Sequence, residues 1–88
     1  MPEITLIINH EVGLHARPAS LFVQTAAKFS SDIEVTLGDT TGNAKSILSI
    51  LTLGAQQGAE LVVKAEGADA EEALKALEAL VADNFGEE

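Results

Sequence analysis

The sequence contains no cysteine, tryptophan or tyrosine, and each absence excludes a class of structure or function. Without cysteine, neither disulfide bonds nor thiolate metal sites can stabilise the fold, which suits a cytoplasmic protein. Among phenylalanine, tryptophan and tyrosine, the chain has only three phenylalanines, so it offers little aromatic surface for stacking nucleic-acid bases. No apolar run is long enough to cross a membrane, and the first three residues lack the basic character of a secretion signal. We therefore expect no membrane insertion.

Basic residues are also scarce, since five lysines and arginines face fourteen acidic residues and the formal net charge is −9. Such a chain repels nucleic acid and anionic membranes, and neither is predicted as a partner. The acidic residues concentrate between positions 66 and 88, which leaves the segment around His15 less negative. The separation of His10 from His15 matches no metal-ligand spacing, so we predict no metal site and expect His10 to be a solvated residue at a strand end.

The hydrophobic pattern predicts a single domain over residues 1–88, with the element order β-α-β-β-α-β-α. Strands are expected over 4–8, 32–37, 40–43 and 61–65, and helices over 16–28, 47–53 and 70–83. One sheet with helices on one face buries these apolar stripes. Ser46 and Gly54 are expected to cap the second helix, and Asp69 with Glu72 to form a capping box at the third. Residues 86–88 are expected to fray.

The run Gly13–Ala19, with the sequence GLHARPA, places a histidine at the start of the first helix. Pro18 fits the first turn of a helix, where its missing N–H is tolerated. His15 then lies beside free backbone N–H groups, the positive end of the helix dipole and the guanidinium of Arg17. These groups together form a site for a phosphate, and an imidazole there can be the nucleophile that carries it. A lone histidine in this position would otherwise be interpreted as a capping or packing residue.

Two motifs carry a family resemblance. The segment Gly13–Ala19 resembles the active-site segment of the HPr family of histidine-containing phosphocarriers, from the bacterial sugar phosphotransferase system. The segment Asn43–Leu48 resembles the regulatory-serine motif of that family, at the matching spacing. The resemblance extends over essentially the whole chain. It implies an α+β fold, an HPr-like open-faced β-sandwich in which three helices cover one face of a four-stranded antiparallel sheet.

The resemblance also implies the chemistry. His15 would accept a phosphoryl group on Nδ1 from the phosphoenolpyruvate-dependent enzyme I and pass it to the enzyme IIA component of a sugar permease. Arg17 would stabilise the phosphoryl oxygens, and the backbone N–H groups of Ala16 and Arg17 would bind them. The chain would then be a phosphoryl carrier, a substrate of enzymes rather than an enzyme, and would act as a monomer without a cofactor.

Ser46 would be phosphorylated by an HPr serine kinase/phosphatase in some lineages of the family and would bind a transcriptional regulator, although its role as a helix cap accounts for it equally well. A short helix cannot bury every apolar residue between 47 and 53, so part of it should be exposed. Family positions that dock partner proteins correspond here to Ser20, Leu21, Gln24, Ile47, Leu48, Leu51 and Thr52. Many relatives carry lysines on this face, whereas this chain has uncharged residues there. The nearby cations are Arg17, Lys28 and Lys45.

Alternatives remain open at this point. The same site could serve a regulatory branch, such as a nitrogen-related phosphotransferase system or phosphoryl supply to a dihydroxyacetone kinase. A pure binding regulator acting through the Ser46 face is disfavoured, because relatives of that kind lack the active-site histidine. A small hydrolase using His15 is also disfavoured, because the sequence shows no second nucleophile, paired carboxylates or metal cluster. The sequence does not indicate which sugar or which IIA partner is involved.

Overall fold

A computed structural model describes residues 2–86 of the chain. The elements follow the predicted order, and each predicted bound lies within one residue of the observed one. They are β1 (Glu3–Ile7), α1 (Ala16–Ala27), β2 (Asp32–Leu37), β3 (Thr40–Asn43), α2 (Ile47–Leu53), β4 (Glu60–Glu66), α3 (Ala70–Ala82) and a 3₁₀ turn over Asn84–Gly86.

The four strands form one antiparallel sheet in the order β1-β4-β2-β3. Val63 lies opposite Ile4 on one side and Val35 on the other, so the central strand β4 carries the middle of the apolar face. Side chains alternate along β1, β2 and β4, with Leu6, Val35 and Val63 buried and their neighbours in sequence more exposed. The predicted fold class, an open-faced sheet with three helices, is confirmed.

The core lies between the apolar face of the sheet and the three helices. Phe22 of α1, Ile50 of α2 and Leu77 of α3 are each fully buried in one continuous cluster with the inward side chains of the strands. Helix α1 packs against both α2 and α3, so the three helices form a single layer. The end of α2 therefore lies near the start of α1, and the start of α2 lies near the end of α1.

The predicted caps of α2 are confirmed. The Ser46 hydroxyl oxygen accepts a hydrogen bond from the Ser49 N–H at 3.3 Å, and Gly54 ends the helix in the left-handed region at φ +66°. The Gly54 N–H donates to the Leu51 carbonyl oxygen at 3.1 Å, which satisfies one of the last carbonyl groups of the helix.

The predicted capping box at α3 is wrong. Asp69 is the N-cap residue, but its carboxylate makes no cap hydrogen bond to α3 and instead accepts from the Ser30 and Ser31 N–H groups, each at 2.9 Å, and from the Ser31 hydroxyl. Three donors to one carboxylate outweigh a single helical N–H. These bonds, above all the one from the Ser31 hydroxyl, lower the pKa of Asp69 to about 2. Gly67 allows the close approach, because a Cβ there would lie 2.5 Å from Ser31 Oγ.

The end of the described chain is more ordered than the sequence suggests. Phe85 is buried with 2% of its surface exposed, and the Gly86 N–H donates to the Asp83 carbonyl oxygen at 3.0 Å. The expectation of a frayed end is therefore wrong for Gly86, while Glu87 and Glu88 lie outside the described residues. The His10 ring meets the Phe85 ring edge-on at 6.1 Å, so His10 is a half-buried packing residue rather than a solvated one.

Candidate functional site

His15 is the residue immediately before α1, and its side chain is exposed. Its backbone is extended, with φ −135° and ψ 153°, and its imidazole makes no capping hydrogen bond to the helix. Ala16, the first residue of α1, has a positive φ of 43°. An L-residue in the left-handed region carries about 1–2 kcal/mol of strain. The strained residue is adjacent to the exposed histidine, where the chain turns from extended to helical geometry.

The start of α1 is an anion site formed largely by the backbone. The first N–H groups of a helix, here those of Ala16 and Arg17, have no partner within the helix, and Pro18 has no N–H to offer. They carry the positive end of the helix dipole next to the imidazole of His15. Arg17 is exposed and forms no ion pair with any residue between 2 and 86, so its guanidinium is available to a bound anion.

The loop before His15 is fixed by contact with the segment after α2. The Leu14 N–H donates to the Ala55 carbonyl oxygen at 2.9 Å, and the Leu14 side chain is buried with 2% exposed. Gly13 is buried at φ +71°, and a Cβ there would collide with the Ala55 carbonyl oxygen and lie 2.7 Å from the Gln56 Cα. Only glycine permits this backbone contact, which sets the position of His15 two residues later.

His15 lines a shallow depression of about 210 Å³. The other residues around it are Val12, Leu14, Leu51, Gly54, Ala55 and Gln56. The structure thus places Leu51 of the predicted docking set beside the predicted nucleophile. Sequence reasoning missed Val12 and the segment 54–56. The only sequence signal for that segment was Gly54, which indicated a helix end and gave no sign of proximity to His15.

Helix α2 buries one side and exposes the other, as its apolar excess predicted. Ile50 and Leu53 face the core, whereas Ile47, Leu48 and Leu51 are 43%, 72% and 39% exposed. The Thr52 hydroxyl donates to the Leu48 carbonyl oxygen at 2.7 Å. Helix α2 therefore presents three large apolar side chains next to the depression.

The remaining docking residues lie on α1. Gln24 Nε2 donates to the Ser20 hydroxyl oxygen at 3.0 Å, one helical turn apart, and Leu21 is half-buried against the core. The other two cations that the sequence placed nearby are at the far end of α1. Lys28 is its C-cap residue, and Lys45 Nζ donates to the Phe29 carbonyl oxygen at 2.6 Å. Arg17 is thus the cation that remains at the His15 end of the helix.

Residues 2–86 contain no group of three or more histidine, cysteine or acidic side chains placed to hold a metal ion. None of the helices among these residues combines the length and apolar character that a membrane crossing requires.

Comparisons with known proteins agree with this geometry. A family model described as "PTS HPr component phosphorylation site" matches residues 2–83. The phosphocarrier protein HPr of Mycoplasma capricolum subsp. capricolum is 39% identical over 83 residues, which cover 94% of this chain and 93% of that protein. The structure of HPr-C-His from Thermoanaerobacter tengcongensis superposes with a TM-score of 0.97 at 55% identity, covering 100% of this chain and 99% of that one.

A second structure from the same organism, described as an HPr dimer, superposes with a TM-score of 0.80 at 54% identity, covering 99% of this chain and 100% of that one. The match extends through both motifs and through every element of the fold. The chain belongs to the HPr family, the phosphocarrier proteins of the phosphotransferase system, which carry phosphoryl groups and are not catalytic enzymes.

Proposed function

We propose that His15 receives a phosphoryl group from the phosphoenolpyruvate-dependent enzyme I and transfers it to the enzyme IIA component of a sugar permease. The observation that supports this most is the exposed imidazole of His15 at the start of α1, beside the free N–H groups of Ala16 and Arg17. A carrier must meet two partners in turn, and this imidazole is accessible without any movement of the fold. The absence of cysteine fits a reaction in the cytoplasm.

In the proposed transfer, the lone pair of His15 Nδ1 attacks the phosphorus atom. The new nitrogen–phosphorus bond forms as the bond from phosphorus to the donor's leaving atom breaks, and the second transfer reverses these roles. The guanidinium of Arg17 and the backbone N–H groups stabilise negative charge on the three phosphoryl oxygens. A phosphorylated imidazole is a high-energy species, so the group can be passed on to an acceptor.

The test is the intact mass of the chain after incubation with phosphoenolpyruvate and the enzyme I encoded in the same genome. We expect one added phosphoryl group that is lost in acid and absent from a His15→Ala variant. His10→Ala is the matched control, since it also removes an imidazole, and it should gain the same mass. If the wild-type chain gains no mass although enzyme I is active, the proposal is refuted.

We further propose that Ser46 is a regulatory phosphorylation site for a serine kinase/phosphatase and that it contributes to binding a transcriptional regulator. Ser46 precedes the exposed Ile47 and Leu48, so a phosphate there would place about 1.5–2 negative charges beside the apolar surface of α2. Incubation with ATP and a serine kinase from the same genome should add a phosphoryl group that survives acid. A Ser46→Ala variant should gain no mass, and a Ser49→Ala variant should gain it. Phosphorylation of the Ser46→Ala variant would contradict the assignment.

A further inference from the structure

The segment that connects β1 to α1 is attached at both ends to the loop that precedes β4. Near its start, Gln57 Nε2 donates a hydrogen bond to the Asn9 carbonyl oxygen at 3.1 Å. At its end, the Leu14 N–H donates to the Ala55 carbonyl oxygen at 2.9 Å. The residues between these two attachments, positions 10–13, therefore need contacts of their own to keep a fixed shape.

His10 supplies such contacts by closing a turn with its own backbone and side chain. Its carbonyl oxygen accepts a hydrogen bond from the Gly13 N–H at 3.0 Å, and its imidazole Nδ1 accepts one from the Val12 N–H at 3.2 Å. The second bond joins a side chain to the backbone two residues later, which is the contact that asparagine and aspartate make in an Asx turn. Because a backbone N–H can only donate, this geometry requires a His10 ring whose Nδ1 carries no proton.

The imidazole of His10 is held in turn by the end of the described chain. The Phe85 ring meets it edge-on at 6.1 Å and is itself buried. Asn84 and Phe85 both have a positive φ, of 51° and 58°, which L-residues keep only where the surrounding structure holds them. Burial of the Phe85 ring therefore fixes this end segment, and the segment fixes the His10 ring.

The turn is bonded directly to the backbone of His15. Gly13 donates its N–H to the His10 carbonyl oxygen, and its own carbonyl oxygen accepts the His15 N–H at 3.0 Å. A change in the shape of the turn therefore moves Gly13 and, with it, the residue that carries the reactive imidazole. Misplacement of a reacting group by about 1 Å can slow a reaction on the order of a hundredfold, so even a small loosening of the turn matters for transfer.

We infer that His10 is a positioning residue for phosphoryl transfer: its Nδ1 closes the turn that orients His15, and its imidazole takes no part in the bond to phosphorus. The inference rests on the proposed function, which makes His15 the acceptor. With the turn open, the His15 backbone samples more orientations, so fewer complexes present the acceptor nitrogen in line with the phosphorus atom. The final mass of the His10→Ala control is unaffected, because His15 is intact and only the rate of its phosphorylation falls.

Two substitutions of His10 separate its role in the turn from its contact with Phe85. His10→Asn keeps an acceptor for the Val12 N–H, because the Oδ1 atom of asparagine closes an Asx turn, but it removes the ring that packs on Phe85. His10→Phe keeps an aromatic ring against Phe85 but has no acceptor. A role in packing alone would therefore favour His10→Phe, whereas the positioning role favours His10→Asn.

The experiment mixes phosphorylated enzyme I of the same genome with rising concentrations of the chain and follows phosphoryl transfer by quenched flow. We expect the limiting rate constant of His10→Phe to lie at least about fivefold below that of the wild type, and that of His10→Asn to stay within about twofold. The chain concentration at half the limiting rate should stay within about twofold for both variants, because the turn acts after the complex has formed. Circular dichroism checks that each variant is folded at the assay temperature. A smaller loss for His10→Phe, an equal loss for His10→Asn, or a loss confined to the half-saturating concentration would overturn the inference.

A spectrum of the chain alone tests the turn without enzyme I. In a long-range proton–nitrogen correlation spectrum, recorded at a pH where the His10 ring is neutral, the ring proton should be on Nε2. A proton on Nδ1 would exclude the bond from the Val12 N–H and overturn the inference. If phosphorylated enzyme I transfers nothing to the wild-type chain, the proposed function itself fails. Equal rates for the wild type and both variants would leave that function standing and would reject the role of His10.

Discussion

Substituting Gly13 by alanine tests how the backbone positions His15. The added methyl group would collide with the Ala55 carbonyl oxygen and lie 2.7 Å from the Gln56 Cα. Both neighbours are backbone atoms and cannot rotate away as a flexible side chain would. Carbon atoms pack at about 3.5–4.0 Å, so the two segments must separate by roughly 1 Å. That separation strains the hydrogen bond from the Leu14 N–H to the Ala55 carbonyl oxygen.

Gly38 provides the matched control. Its φ is +61°, close to the +71° of Gly13, but a Cβ there would meet no atom within 4 Å. Each alanine carries about 1–2 kcal/mol for its left-handed backbone. Only the alanine at position 13 also collides with neighbouring atoms, and such overpacking costs about 1–3 kcal/mol of stability. We therefore expect unfolding free energies lowered by about 1–2 kcal/mol for Gly38→Ala and about 2–5 kcal/mol for Gly13→Ala.

Urea denaturation followed by far-ultraviolet circular dichroism measures these losses, because the chain has no tryptophan or tyrosine to report by fluorescence. With a denaturant slope of about 1–3 kcal/mol/M, the midpoint of Gly13→Ala should lie roughly 1 M below that of Gly38→Ala. Phosphorylation by enzyme I should slow in Gly13→Ala and proceed at the wild-type rate in Gly38→Ala. Equal midpoints for the two variants would refute the close-contact argument.

Three further predictions concern single side chains. Because folding lowers the pKa of Asp69 from 3.8 to about 2, its bonds to Ser31 stabilise the fold above pH 4 and are lost as the pH falls through 2. The difference in melting temperature between wild type and Asp69→Asn should therefore vanish towards pH 2, and a difference independent of pH would contradict this. Ser46→Ala removes the cap to the Ser49 N–H and should lower the unfolding free energy by about 1 kcal/mol in urea denaturation, whereas no loss would exclude the cap. Arg17→Ala should slow quenched-flow phosphoryl transfer about tenfold or more while leaving stability within about 0.5 kcal/mol, and an unchanged rate would remove Arg17 from the site.

Local patterns in the sequence were sufficient to predict the elements of the fold. The alternation of Ile33 and Val35 with acidic and polar neighbours predicted β2, and the turn residue Gly38 predicted its separation from β3. The stripe of buried residues along α3 followed from helical spacing. These signals are local because each depends on residues within a few positions of one another.

The errors concern contacts between residues far apart in sequence. The carboxylate of Asp69 bonds to Ser30 and Ser31, thirty-nine and thirty-eight positions earlier, and no local rule distinguishes this arrangement from a capping box. Gly86 was expected to fray, yet the preceding Phe85 is buried and its ring packs on His10, near the other end of the chain. Tertiary contacts prevailed over the local tendency in both places.

The residues of the candidate site also differ in whether the local sequence could predict them. The nucleophile, its cation and the helix start were predicted from a run of seven residues, because all of them depend on the local geometry of Gly13–Ala19. The opposite wall of the depression, from Gly54 to Gln56, could not be predicted, since it reaches His15 only when α2 packs beside α1. The exposed apolar surface of α2 was predicted only in part. The number of apolar residues in the helix indicated that some would be exposed, but it did not indicate that they would lie near His15.

The way the site is assembled fits the requirement that a carrier release what it binds. A phosphoryl group on His15 would be held by two backbone N–H groups and one exposed guanidinium, with water on its remaining side. An enclosed pocket with further cations would bind the group more tightly and would slow its transfer to an acceptor. Rigidity is supplied instead by the contact of Gly13 with Ala55, which positions the imidazole without covering it. Positioning through the backbone thus leaves the imidazole of His15 accessible to a donor and an acceptor in turn.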